Sequence, residues 1–140
     1  MFRTILGALA LLTLAVVGAS AQSTGPAILR PPGGIALDSG TKTAAAAAGA
    51  ATLNKLSGKI TTEALTTAAG ATYTLTVTNS TVAAADIVLA SFTNGTNSAG
   101  SPHIQRITPG AGSITFTLRN SDAAAALNGT LVVSFVVIKN

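Results

Sequence analysis

The chain has 140 residues, enough for one domain, and only 9% of them are charged. Its formal net charge of +4 comes from eight Lys and Arg against four Asp and Glu, and the basic residues form no cluster along the sequence, which argues against nucleic-acid binding. There is no cysteine, so disulfides, a thiol nucleophile and cysteine-based metal sites are excluded.

Residues 1–21 have the three parts of a secretory signal peptide. Arg3 gives a positive start, an apolar stretch covers residues 5–17, and Ala19-Ser20-Ala21 has the Ala-x-Ala pattern that favours cleavage before Gln22. A membrane anchor is the alternative, but the apolar stretch is shorter than the roughly 20 residues that a spanning helix needs. We therefore expect a secreted or periplasmic protein with no stable membrane span after cleavage.

Residues 22–50 predict a weakly ordered arm or linker. Three prolines and the pair Gly33-Gly34 interrupt its first part, and its last part is almost all Ala, Gly and Thr. The Ala-rich composition favours a short helix near Thr43–Ala51, although no large apolar side chain there could dock on a core. The arm serves either as a tether, which we favour, or as a segment that packs on a neighbouring subunit.

Residues 51–140 carry the signal of a β-domain. Tyr73, Leu75 and Val77 alternate with threonines, and residues 113–118 repeat the alternation with Ile, Phe and Leu. This period of two, with threonine on the wet face, is typical of an antiparallel sheet with one face exposed.

Further strands are expected on both sides of these two. They are Ile87–Phe92, His103–Thr108 and Thr130–Lys139, with weaker candidates at Thr52–Leu56, Lys59–Ile60 and Glu63–Thr67. The total of seven or eight strands predicts an all-β fold, an antiparallel, jelly-roll-like β-sandwich. The C-terminal strand is apolar on both faces, so it lies either in the middle of a sheet or against another subunit.

Two parts of the domain have a similar order of features. Residues 74–92 and 117–135 each contain a strand, an Asn-Ser pair, a bend of small residues and a strand ending in Ser-Phe. A duplication and independent use of the same turn chemistry both explain the similarity.

The residues that could support catalysis are few and scattered. Glu63, Asp86 and Asp122 are the only acids after Asp38, and turn or capping duty accounts for all three. His103 is the only histidine, and we interpret it as a solvated residue at the start of a strand, with a ring of three histidines across a trimer axis as the alternative. We predict no enzyme activity and no catalytic, cofactor-binding or metal-binding residues.

The stretch from Gly58 to Ser80 resembles a small β-domain of tailed-phage structural proteins, as do Ile87–Ala90, Thr108–Ser113 and residues 125–137. The resemblance covers about residues 51–140 and implies a capsid-decoration or head-fibre-like module, often a trimeric β-sandwich without enzyme activity. Virion proteins assemble in the cytoplasm, so the predicted signal peptide departs from this pattern.

Two functions follow as hypotheses. The first is a self-associating structural protein, trimeric by the resemblance, on a virion or a cell surface. The second is an exported adhesion module that binds carbohydrate or protein through the polar loop Asn94–Gly100, which contains no aromatic residue.

Overall fold

A computed structural model describes residues 27–30, 34–37 and 42–140. The signal peptide expected at residues 1–21 and much of the arm expected at residues 22–50 lie outside this part. Strands β1 (Ala27–Arg30) and β2 (Gly34–Leu37) form an antiparallel pair. Among the residues that the structure describes, no helix could cross a membrane.

The other strands form two four-stranded sheets that enclose one core. Sheet A has the order β3-β5-β10-β7, and sheet B has the order β4-β6-β9-β8. Their strands are β3 (Thr43–Ala45), β4 (Ala50–Thr52), β5 (Ser57–Thr61), β6 (Thr72–Thr78), β7 (Ile87–Asn94), β8 (Pro102–Gly110), β9 (Ser113–Asn120) and β10 (Leu131–Ile138). The predicted all-β sandwich of seven or eight strands is thereby confirmed.

Alternating side chains build the core between the sheets. Leu75 and Val77 of β6 and Ile114, Phe116 and Leu118 of β9 are almost completely buried. Strand β10 supplies the opposite wall through its odd-numbered residues, which are Leu131, Val133, Phe135 and Val137. The threonines between the buried positions of β6 remain partly or fully exposed, as the period of two predicts.

The Ala-rich segment differs from the prediction. The short helix expected near Thr43–Ala51 is wrong, because this segment forms β3, a turn and β4. The turn contains Ala48 and Gly49 with positive φ angles of 50° and 74°. A side chain at Gly49 would lie 2.7 Å from the carbonyl oxygen of Thr74, so this close approach requires glycine.

Strands β3 and β4 also add a parallel pairing to each sheet. Strand β3 pairs in parallel with β5, and β4 pairs in parallel with β6, so each sheet is mixed and not wholly antiparallel. The segment Glu63–Thr67, predicted as a weak strand, forms no strand. Its backbone bonds to two loop positions instead, since Leu65 N donates to Gly129 O and Leu127 N donates to Thr67 O, each at 2.9 Å.

The two similar sequence segments occupy similar places in the fold. Strands β6 and β9 are neighbours in sheet B, and β7 and β10 are neighbours in sheet A. Each crossing from sheet B to sheet A begins with a fully buried asparagine, Asn79 after β6 and Asn120 at the end of β9. The sequence similarity therefore reflects two equivalent sheet-to-sheet crossings.

Candidate interaction surface

The outer face of sheet A carries the largest exposed apolar side chains that the structure describes. Ile87, Leu89 and Ile138 have 54%, 57% and 46% of their surface exposed. Ile138 lies opposite Ile87, and the half-buried Val136 lies opposite Leu89. We call these four residues the β7–β10 patch.

The local sequence explains why these side chains point outward. In β7, Val88, Ala90 and Phe92 pack against the core, so Ile87 and Leu89 must face the other side of the sheet. Strand β10 is apolar on both faces, as the sequence predicted. Of the two positions that the sequence left open, the structure shows the middle of sheet A, and the outward side chains of β10 add to the patch.

Shallow depressions adjoin the patch on the same face. One of about 300 Å³ is lined by Leu89, Ala90, Ser91, Ser134, Phe135 and Val136. Another of about 430 Å³ extends across β10, β5 and β3, and its lining includes Lys42 and Lys59. Small serine side chains between larger apolar ones make this face uneven, and both depressions are open to solvent.

Strand β7 forms one edge of sheet A and leaves backbone groups available for pairing. Gly95 N donates to Thr130 O at 2.9 Å. In an antiparallel ladder, every second residue of a strand bonds to the partner strand, and the residues between point their backbone groups to the other side. Counting from Gly95, the residues between are Val88, Ala90 and Phe92, so their backbone N–H and C=O groups point away from β10. Within residues 42–140 no strand pairs with that side of β7.

Strand β8, the corresponding edge of sheet B, has features that protect an edge strand from pairing and that β7 lacks. It contains Pro102, Arg106 and Pro109, and its register shifts between Ile104 and Arg106. Prolines, charges and bulges are the usual means by which an edge strand avoids pairing with another chain. Strand β7 has no proline and no charge, so of these two edges β7 is the one suited to association.

The loop Asn94–Gly100 is held by hydrogen bonds to a neighbouring turn. Asn128 Oδ1 accepts hydrogen bonds from Ser98 N at 2.8 Å and Ala99 N at 3.1 Å. Asn97 is buried, and its Oδ1 accepts a hydrogen bond from Asn128 N at 2.9 Å. Many of the polar atoms that could contact a ligand thus stabilise the loop itself, and ligand binding by this loop stays a prediction.

The three acidic residues of the described domain do not form a cluster, and each one bonds to groups that hold a turn or a chain end. Asp86 is buried and forms a salt bridge with Lys139, which ties the start of β7 to the end of β10. The Lys139 ammonium and the backbone amide of Ala83 hold the pKa of Asp86 below its usual value. Asp122 accepts hydrogen bonds from the amides of Ala124 and Ala125, and these lower the pKa of its carboxyl group.

Glu63 fixes the turn that joins the two sheets. Its Oε1 accepts a hydrogen bond from Gly49 N at 2.8 Å, and its Oε2 accepts one from the Tyr73 hydroxyl at 2.9 Å. Burial, followed by the hydrogen bond and the negative charge of Glu63, raises the pKa of Tyr73 well above 10.0. This arrangement holds the β3–β4 turn against β6.

His103 lies in β8, where its nearest cross-strand neighbour is Arg119 of β9. In residues 42–140 no group of three or more His, Asp or Glu side chains could hold a metal ion. The sequence interpretation drew attention to the C-terminal strand but missed the exposed positions Ile87 and Leu89. The alternation within Ile87–Phe92 was the available signal, but it could not show which set of residues faced the core.

No protein-family model matches this chain, and comparison with curated proteins and with solved structures gives no match either.

Proposed function

We propose that the chain is a non-enzymatic structural protein that self-associates through the outer face of sheet A. The observation that carries this proposal is the β7–β10 patch, in which Ile87, Leu89 and Ile138 are each about half exposed in a single copy. Full burial of such a side chain contributes roughly 1.5–3 kcal/mol. A partner that covers the patch would therefore gain several kcal/mol.

The charge distribution supports association between identical copies. Strands β7 and β10 contain no charged residue, so two copies of the β7–β10 patch can meet without placing like charges within the patch itself. The edge of β7 adds backbone donors and acceptors beside the patch. Association through this face then combines burial of apolar side chains with pairing or close packing of the free edge.

A non-enzymatic role agrees with how the ionisable residues are used. Asp86, Asp122 and Glu63 each hold a turn or a chain crossing, and they lie in different parts of the domain. Every buried side-chain nitrogen or oxygen in the described residues has a hydrogen-bond partner.

The proposal includes an exported location and, by resemblance to the phage modules, three copies in the assembly. The location rests on the signal-peptide pattern of residues 1–21. The cell surface, or a virion surface if the protein is phage-encoded, is where such an assembly would act. Decoration or fibre formation there requires stable packing between copies and no chemistry.

Light scattering coupled to size-exclusion chromatography tests the proposal. The purified chain is expected to elute as an oligomer at micromolar concentration. Leu89→Lys places a charge in the patch and is expected to shift the chain to a monomer. Thr52→Lys, a matched change on the outer face of sheet B, is expected to leave the oligomer unchanged. A wild-type monomer at tens of micromolar, or equal effects of the two variants, would contradict the proposal.

A further inference from the structure

The outer face of sheet B differs from the patch because it carries hydroxyl groups and positive charge. Threonines alternate along β6 at positions 72, 74, 76 and 78, and β9 continues the rows with Ser113, Thr115 and Thr117. Neighbouring strands of a sheet are about 4.8 Å apart, and successive side chains on one face of a strand are about 6.8 Å apart. The face is therefore a regular array of small polar groups.

Three basic side chains lie at one corner of this array. Arg119 lies opposite Thr72 on one side and His103 on the other, and Arg106 lies opposite Thr117 in the next row. Directly opposite residues have Cβ atoms about 5 Å apart, and diagonal ones are about 7–8 Å apart. Arg106, Arg119 and His103, which we call the basic corner, are thus within reach of a single ligand.

The irregularity in β8 creates this corner. His103 and Arg106 are three residues apart, so regular alternation would place them on opposite faces of the sheet. The register shift between Ile104 and Arg106 inserts Gln105 as an extra residue, and both basic side chains then face outward. Bulges that redirect a side chain are common next to functional sites.

The two guanidinium groups have no hydrogen-bond or ion-pair partner among the residues that the structure describes. Arg106 and Arg119 are both exposed. Asp122 follows β9 closely, but its carboxylate accepts hydrogen bonds from the amides of Ala124 and Ala125 in its own turn. Glu63 is engaged with Gly49 and Tyr73. The positive charge of the corner is therefore available to a ligand.

We infer that the basic corner and the adjoining threonine rows bind an acidic polysaccharide. Arg106 and Arg119 match sulfate or carboxylate groups, because a guanidinium can donate two parallel hydrogen bonds to such an anion. The hydroxyls of Thr72, Thr74 and Thr117 lie beside them and can exchange hydrogen bonds with sugar hydroxyls. The positive charge of the two arginines attracts the polymer, and the threonine hydroxyls form hydrogen bonds with its uncharged groups.

A nucleic acid fits this face less well than a polysaccharide does. Proteins that bind single strands use aromatic rings on which bases stack. The aromatic residues of the described domain do not supply one, since Phe92, Phe116 and Phe135 face the core and the Tyr73 hydroxyl is bonded to Glu63. The binding surface lies on the opposite sheet from the β7–β10 patch, so it does not depend on self-association.

Calorimetric titration of the full chain with heparin, a polysaccharide that carries sulfate and carboxylate groups, tests the inference. The double variant Arg106→Gln, Arg119→Gln is expected to weaken binding at least tenfold. Lys59→Gln removes one positive charge from sheet A, and we expect it to change binding less than twofold. The double variant is expected to keep the oligomeric mass and the unfolding midpoint of the wild type.

Two further ligands make the outcome decisive. Neutral dextran is expected not to bind, and single-stranded DNA is expected to bind at least tenfold more weakly than heparin. Heparin binding that Arg106→Gln, Arg119→Gln leaves intact would overturn the inference. Equal or tighter binding of the DNA would also overturn it, in favour of a nucleic-acid surface. A monomeric wild type would contradict the proposed function, but the heparin-binding test would remain valid.

Discussion

The rings of Phe116 and Phe135 lie 6.2 Å apart at an interplanar angle of 44°, in contact between the two sheets. Phe116 belongs to β9 and Phe135 to β10, and each of these strands has a partner on both sides. The pair therefore connects the central strands of sheets A and B. The contact lies within the buried core that both sheets enclose.

Replacing Phe116 with alanine tests the importance of this contact. Phe116 is completely buried, so Phe116→Ala is expected to lower the free energy of unfolding by about 3–5 kcal/mol. Thr117→Ala, the neighbouring residue on the outer face, is expected to change it by less than about 0.5 kcal/mol. Denaturant unfolding measures both values, and similar losses for the two variants would contradict the assigned core.

Asn79 and Asn120, the buried asparagines at the start of the two sheet-to-sheet crossings, are expected to contribute unequally to the stability of the domain. Asn120 donates to Thr67 O and Ala125 O and accepts from Ser101 N and Asp122 N. Each polar group left unsatisfied in the interior costs about 1–3 kcal/mol. Asn120→Ala should therefore destabilise the domain by several kcal/mol.

Asn79→Ala is the matched comparison. The Asn79 amide donates to Lys55 O, and its oxygen accepts from the amide and hydroxyl of Thr81, which belongs to the same turn. Fewer parts of the chain depend on this side chain, so we expect a smaller loss in thermal unfolding. A larger loss for Asn79→Ala than for Asn120→Ala would show that the two crossings are not supported in this way.

Much of the fold follows from the local sequence pattern. The alternation of β6 and β9 predicted which residues are buried. The unbroken apolar sequence of β10 predicted either a central strand or a strand against another subunit, and the structure places it in the middle of sheet A. The Ala-rich residues 43–51 misled the prediction because helix propensity is weak compared with strand pairing to β5 and β6. Short parallel strands depend on partners far along the chain, which local patterns do not reveal.

Acidification tests the role of the Asp86–Lys139 salt bridge. The folded state holds the pKa of Asp86 below its ordinary value of 3.8. This carboxylate therefore contributes stability above about pH 4, and the contribution is lost as the pH falls through the folded-state pKa. Stability of the wild type should fall more steeply between pH 5 and pH 2 than that of Asp86→Asn, as measured by urea unfolding. Parallel pH profiles would rule out a stabilising role for this ion pair.

Alkaline titration tests the hydrogen bond between Tyr73 and Glu63. Because folding raises the pKa of Tyr73 above 10.0, its stabilising effect is complete below pH 10 and is lost at higher pH. The phenolate absorbance should appear only well above pH 10 in the folded chain. Tyr73→Phe has no phenol to ionise, so it should lose less stability than the wild type as the pH rises above 10. Titration of Tyr73 near pH 10 in the folded protein would contradict the observed contact.

The candidate surfaces were less predictable than the strands. Period-two alternation shows that Ile87 and Leu89 share a face, but only the pairing with β10 shows that this face is exposed. The same alternation separates His103 from Arg106, and the bulge at Gln105 reverses that expectation. A one-residue irregularity leaves no clear signal in a single sequence, so the basic corner could not be predicted.

Cysteine labelling measures most directly whether the outer face of sheet A is covered in solution. The chain has no cysteine, so Leu89→Cys and Thr52→Cys each introduce a single reactive thiol. At tens of micromolar, a bulky maleimide should react with the thiol at position 89 at least tenfold more slowly than with the thiol at position 52, and dilution should remove the difference. Equal reaction rates at high concentration would contradict self-association through the β7–β10 patch.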